Sequence, residues 1–381
     1  MKVIGIHHEG YPTLRNIAQL PFTHYKVKRV YDMFTLPRYL SFKLGETPDW
    51  LLNIHQDFGI SSCDILHFFN TVSFSPKPWI TTFETAVPRW GDLPKHIQEL
   101  GVKQLQGEHC RQIIALSESA KQIQTKLLKT HFPACADEIL AKLCVMHPPQ
   151  KLGLQSIAEK HAFEELSFIF VGADFFRKGG KAMLEAFAEF WAQGFNAHLY
   201  VISSLQAGDY ATHATQEDVL WVEKFFKTHQ GKVFHFHTLP NSDVLALLQR
   251  CHVAILPSFA DTYGYFVLEA QANACPVITT DIRAFPEINN QKTGWVLQLE
   301  KDEFGNAKMD TPERCIAQQE NLRVQILATI QNIAQNPISI QAKAEQSLLR
   351  IKKEHCPVVR ARELEQLYDS VLLHVVAPAT Y

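Results

Sequence analysis

Between residues 165 and 300, short β-rich runs alternate with helical patterns, and this restricts the fold more than any other feature of the chain. The runs are 167–171, 197–202, 233–237, 252–256, 277–280 and 294–297. Between the first two, Met183, Phe187 and Trp191 recur at i, i+4 and i+8, the spacing of one buried helix face. Strands alternating with helices predict a parallel sheet covered on both sides. The first half repeats the alternation less cleanly, with strands expected at 1–6, 50–54, 64–69, 79–83, 111–116 and 143–147. Past residue 312 the pattern turns helical, over 313–336, 338–354 and, after a break at Pro357, 360–373.

Two similar α/β halves joined near His147-Pro148-Pro149 make a two-lobed protein whose natural site is the cleft between the lobes. The expected division is 1–150, 151–357 and a last helical segment 358–381. At 46% hydrophobic and 20% charged residues, the 381-residue chain has enough apolar material for two such cores. A net charge of −2 gives no basis for general nucleic-acid binding, and no nucleic-acid partner is expected. The eight cysteines are scattered without a CxxC pair, which fits neither a disulfide framework nor a zinc site. No uncharged apolar stretch reaches 18 residues, and the N-terminus reads as a first strand, so the chain is expected in the cytoplasm.

Two loops carry the chemistry. The first, Val171-Gly172-Ala173-Asp174-Phe175-Phe176-Arg177-Lys178-Gly179-Gly180, joins a strand end to a helix start. Ligands of open α/β sheets bind at that edge, where a helix N-terminus offers N–H groups to an anion. Arg177 and Lys178 add two charges, which points to phosphate; the alternative is a solvated charge pair on an exposed loop. The loop has neither a GK[ST] nor a GxGxxG pattern, which argues against an ATPase or a dehydrogenase. The second loop, Pro257 to Ala270, separates the carboxylates Asp261 and Glu269 by seven residues, with Gly264 between them. Asp261 is expected at the sheet edge and Glu269 about two turns into the following helix, so the two can grip opposite ends of an elongated ligand.

These residues make the second half similar to the C-terminal lobe of the retaining GT-B glycosyltransferases, in particular glycosyltransferase family 4. The likeness extends through Pro276-Val277-Ile278, Pro286-Glu287-Ile288 and Thr293-Gly294, and covers roughly residues 165–300. The first half resembles the family weakly, through residues 113–119 and 145–149, and the helix 360–373 resembles its last helix. The resemblance implies an α/β protein of GT-B fold. Two Rossmann-like lobes would face each other across a cleft, and a C-terminal helix would cross back to the N-terminal lobe.

The resemblance further implies transfer of a hexose-type sugar from a nucleotide diphosphate sugar to a glycan or lipid-linked acceptor, with retention, in cell-surface polysaccharide synthesis. Lys178, helped by Arg177, would neutralise the diphosphate; Asp261 would hold the sugar hydroxyls and Glu269 the ribose. Amides around Thr262, Tyr263, Gly264 and Tyr265, together with Gly172, would approach the donor, and the loop around Leu239 would face the base. In the N-terminal, acceptor-binding lobe the candidates are Gly10, His8 and Glu84. Glu84 has the alternative of capping a turn before Pro88, and His7 with His8 the alternative of a surface pair. His67 reads as a hydrogen-bonded core histidine, and Glu287 as a turn residue.

Three departures from the family pattern stand out. Asp261 replaces a glutamate, and Ala173 stands where many members carry an arginine. The loop after the first strand offers only Gly10, and Thr81-Thr82-Phe83-Glu84 runs where many members show a histidine. With no Asp-x-Asp pair, neither a metal nor another cofactor is expected, and the leaving group would be met by protein cations and helix N–H groups. A glycan phosphorylase and a non-catalytic nucleotide-sugar-binding protein of the same fold are the alternatives. Residues 24–43 interleave Lys26, Lys28, Arg29, Arg38 and Lys43 with Tyr25, Tyr31, Phe34, Tyr39 and Phe42. That stretch is either a peripheral contact with anionic lipid at the inner face of the membrane or a solvated surface.

Overall fold

The computed structural model describes residues 1–45, 47–208 and 211–373; the end of the expected segment 358–381, residues 374–381, lies outside them. The chain forms two compact units: Met1–Pro149 with the segment from His355 onward, and Gln150–Glu354.

The strands of the first unit are β1 (Lys2–Ile6), β2 (Tyr25–Arg29), β3 (Ile54–His55), β4 (Ile65–Phe69), β5 (Val72–Ser73), β6 (Trp79–Phe83), β7 (Cys110–Ala115) and β8 (Leu143–Val145). Six form a parallel sheet in the order β2-β1-β4-β6-β7-β8, and β3 pairs with β5 apart from it. Every residue of β4 and β6 is buried, as central parallel strands require. One face packs on the helix Pro357–Leu373, whose Ala361, Leu364, Tyr368 and Val371 share a core with Ile4, Ile6, Ile65 and Ile80. Pro357 opens that helix rather than preceding it by a break, because a first-turn residue needs no N–H. His67 is the core histidine expected: its ring joins the Tyr368 hydroxyl at 2.6 Å and the Thr82 hydroxyl at 2.8 Å. Burial pushes its pKa down to about 3, so it is neutral.

Two expectations need correction here. Residues 50–54 are not a strand: Pro48 leads into a short helix, Asp49–Leu52, and extended structure starts only at Ile54. The strand β2 was not foreseen. Its Tyr25 is buried while Lys26 and Lys28 are exposed, the alternation of an edge strand, so the aromatic ring turns inward and the basic side chains outward.

The second unit holds β9 (Ser167–Val171), β10 (His198–Ile202), β11 (Val233–Phe236), β12 (Val253–Leu256), β13 (Val277–Thr280) and β14 (Gly294–Leu297), all as expected. They run parallel in the order β11-β10-β9-β12-β13-β14. The helix Gly180–Ala192 buries Met183, Phe187 and Trp191, the face its spacing predicted. In each sheet the order reverses once, at β9/β12 in the second and at β1/β4 in the first. At such a reversal the connections leave in opposite directions and open a crevice beyond the strand ends.

Candidate active site

The reversal brings the loops after β9 and β12 side by side, although 83 residues separate Lys178 from Asp261. Glycines allow the approach. Gly179 has φ +75°, and a Cβ on it would lie 2.1 Å from the Pro257 carbonyl oxygen. The Phe259 amide donates to the Arg177 carbonyl at 2.9 Å, stitching the two loops together. The stem of Lys178 lies over Gly172, where a Cβ would come within 2.2 Å of its Cδ. Its ammonium then donates to Asp261 Oδ2 at 2.7 Å, and the Thr262 amide donates to Oδ1 at 2.8 Å. Burial pushes the Asp261 carboxyl pKa upward. The Lys178 ammonium outweighs that, with help from Arg177 and the Thr262 amide, and holds it below the ordinary aspartate value.

Arg177 bridges the same two loops. Its guanidinium is held by Asp174 and donates to the Ala260 carbonyl at 2.7 Å, so it clamps one loop to the other. Asp174 had no expected role; its spacing of three from Arg177 inside one charged loop was the available signal. Tyr263 is fully buried, which leaves its backbone rather than its ring for a ligand. Gly264 opens the helix Tyr265–Ala272 at φ +87°, with Phe285 packed where a Cβ would stand. Glu269 is the fifth residue of that helix, one turn in rather than two. The helices starting at Gly180 and Tyr265 both have a glycine at the N-cap, so no cap side chain covers their starts, while the Gly180 amide itself donates to the Phe175 carbonyl at 2.9 Å. Leu239 lies half-buried between β11 and the helix Asn241–Arg250.

In the first unit, the reversal at β1/β4 gathers imidazoles. His8 Nδ1 accepts the Gly10 amide at 3.1 Å and lies 3.4 Å from the Thr13 hydroxyl, which assigns its proton to Nε2. His7 is buried rather than on the surface, with its ring 4.2 Å from His8, 5.1 Å from Phe68 and 5.8 Å from His55. Burial, then the charges of His8 and Arg38, lower its pKa well below the usual histidine value. Glu84 follows β6 and pairs with Arg89 at 2.7 Å, while its amide donates to Asn70 Oδ1 at 3.3 Å. The structure thus brings together Gly172, Arg177, Lys178, Asp261 and Thr262 in one unit, and His8 with Gly10 in the other. Among the described residues no group of three or more His, Cys, Asp or Glu is placed to hold a metal, and no helix is long and apolar enough to cross a membrane.

Known proteins resemble the chain in sequence and in fold. The family described as glycosyl transferases group 1 matches residues 155–311. Over 128 residues the chain is 27% identical to the capsular polysaccharide biosynthesis glycosyltransferase CapM of Staphylococcus aureus, a stretch spanning 33% of this chain and 30% of that protein. Among solved structures, Anabaena HepE in complex with UDP and glucose superposes with a TM-score of 0.60 at 11% identity, covering 97% of this chain and 100% of that one. The sucrose-phosphate synthase of Thermosynechococcus elongatus gives 0.60 at 12%, covering 98% and 100%, and a glycosyltransferase from Rickettsia africae gives 0.57 at 16%, covering 89% and 80%.

Proposed function

Residues 155–311 form a glycosyl transferases group 1 domain in a chain of GT-B fold, and from that premise we propose that the protein is a retaining glycosyltransferase using a nucleotide diphosphate hexose. The observation that carries the proposal is the Lys178–Asp261 pair at the β9/β12 reversal, with two helices that start from glycine N-caps beside it. On donor binding, Lys178 exchanges Asp261 for the diphosphate, and the freed carboxylate takes hydroxyls of the sugar. Glu269 takes the ribose, the amides of Thr262 to Tyr265 approach the phosphates, Gly172 lets the donor lie close, and the loop at Leu239 faces the base. Arg177 contributes by fixing both loops, and its charge lies at the same end of the site.

The bond from the anomeric carbon to the diphosphate oxygen breaks, and the acceptor oxygen bonds to that carbon on the same face. The acceptor proton passes to the departing phosphate oxygen. Lys178 and the helix amides stabilise the charge that develops on the leaving group, so transfer proceeds without a divalent ion. UDP-glucose is the first donor to test, because HepE was solved with it. The match to CapM supports an acceptor hydroxyl on a cell-surface glycan or glycolipid, received by the first unit near His8, Gly10 and Glu84.

The test is a thermal-shift screen of nucleotide sugars, followed by turnover with acceptor in excess EDTA. UDP-glucose should raise the melting temperature, and its consumption should require acceptor and survive chelation. Stabilisation without turnover would favour the non-catalytic reading, and cleavage that depends on inorganic phosphate would favour a phosphorylase.

A further inference from the structure

The helix Thr35–Lys43 has no buried residue, although five of its nine residues are Leu, Pro, Tyr or Phe. A surface helix ordinarily turns an apolar stripe inward and its polar residues outward. Here the sides are exchanged. From Phe34 to Leu44 the half-buried positions are Phe34, Arg38 and Ser41, at i, i+4 and i+7. Arg38 tethers the helix to the body of its unit by donating to the buried Asp32, to the Leu51 carbonyl at 2.7 Å and to the Ile54 carbonyl. The outward side shows Leu36 at 64% exposure, Leu40 at 51%, Phe42 at 76% and, just past the helix, Leu44 at 87%. Tyr39 shares that side, with the Lys43 ammonium 5.6 Å from its ring centre.

Within the segment itself the exposed charge has one sign, while the exposed carboxylate of Asp49 stands on the neighbouring short helix. Within residues 24–45 the single carboxylate is Asp32, which is buried and spent on Arg38. The exposed charges of the segment are Lys26, Lys28 and Arg29 on and at the end of edge strand β2, and Lys43 on the helix. Arg29 and Thr35 are six residues apart, so no more than about 20 Å of chain separates the strand end from the helix start. A second copy of the chain would set this basic surface against another basic surface. An anionic bilayer instead accepts the apolar side chains below its headgroups and attracts the cations around them.

We infer that the helix Thr35–Lys43 and the outer face of β2 form a membrane-docking surface for anionic lipid. This goes beyond the glycosyltransferase reading and stands without it. The membrane takes the place of the apolar partner that the described residues do not supply.

The test is flotation of the full chain with vesicles of phosphatidylcholine alone, or with about a third phosphatidylglycerol, at low salt and at 0.5 M NaCl. Binding is expected to the anionic vesicles, and to fall with salt as the charges are screened. Replacing Leu36, Leu40 and Phe42 together by serine should lower partitioning at least tenfold without lowering the melting temperature, since none of them is buried. Lys26→Glu with Lys28→Glu should weaken binding by more than about twentyfold, taking about fivefold per cation, and abolish the preference for anionic lipid. No flotation, equal binding to both vesicle types, or wild-type partitioning by the serine variant would overturn the proposal. So would light scattering that shows a dimer lost in that same variant.

Discussion

Both units reverse their strand order once, yet the two reversals are built from different materials. In the second unit, glycines bring two loops into backbone contact and a single ion pair spans them: Lys178 over Gly172, Gly179 against Pro257, and Lys178 to Asp261 at 2.7 Å. In the first, the corresponding place holds His7 and His8, with Gly10 as its glycine, and its polar groups turn back on their own loop. The difference suggests a division of labour. A diphosphate is the same in every donor and can be met by a rigid mould. On the proposed reading the acceptor meets the first unit, where side chains can be exchanged without disturbing the backbone.

Breaking the ion pair tests the mould most severely. Lys178→Ala should lower kcat by about 100- to 1,000-fold, the scale for losing one preorganised donor to a developing oxyanion. Because it also strands the Asp261 carboxylate, the double variant with Asp261→Ala should recover melting temperature but not turnover. Single-turnover kinetics beside a melting curve separates the two effects, and near-wild-type kcat in Lys178→Ala would dismantle the comparison. Next in size, Glu269→Ala should weaken free UDP by about tenfold or more in calorimetry, as expected for a lost charged hydrogen bond. Asp261→Ala should leave free UDP nearly unchanged, and Glu84→Gln in the first unit should lower kcat while sparing UDP affinity altogether.

The glycines offer a contrast of the same kind. Gly179→Ala meets both a positive φ and the Pro257 carbonyl, and should cost about 2–4 kcal/mol of stability. Gly10 sits at φ −64°, and an added Cβ would meet only the His8 ring at 3.3 Å, so Gly10→Ala should stay within about 1 kcal/mol. Denaturant melts of the two variants measure this directly.

The smallest effect concerns acid. His7, His8, His55 and His67 of the first unit all have lowered pKa values, against His252 in the second, with burial the largest cause in each case. A histidine held neutral in the fold gains its proton first in the unfolded chain. Its contribution is therefore complete above pH 6.5 and lost as pH falls, for His67 down to about pH 3. Asp261, with its pKa depressed, begins to lose its contribution only once pH drops below the ordinary aspartate range. Hydrogen exchange followed from pH 7 to pH 4 should show peptides of the first unit opening before those of the second.

How much of this could be read beforehand also differs between the units. All six strands of the second sheet were legible, because each is an apolar run bounded by helix and loop signals. The loop after β9 was legible as a candidate site through its glycines and charges. The closure of Lys178 on Asp261 was not, since it depends on which strands become neighbours and not on any local pattern. The bridging contact of Arg177 was not legible either, because one of its partners, the Ala260 carbonyl, is backbone and leaves no trace in residue identity. In the first unit β2 was hidden by its own alternation, and two-residue strands such as β3 and β5 are too short to have any. Residues 24–43 stood out by composition, but no local pattern shows that the helix Thr35–Lys43 turns its apolar side out.

The hydrogen bond between Tyr368 and His67 has a consequence for synthesis. It joins residues 301 positions apart, and the same core needs Ala361, Leu364 and Val371 against Ile4 and Ile6. A ribosome delivers the first sheet before the second unit, and the helix that covers it only after that unit. The second unit is one continuous stretch, Gln150–Glu354, and has all its parts before that helix exists. Domains emerging from the ribosome ordinarily mature from the N-terminus onward. Here the order is inverted: the lobe made first must wait with an apolar face uncovered, and the lobe made second closes before it. Nascent chains stalled after residue 354 should therefore resist protease over the second unit while the first remains open to it.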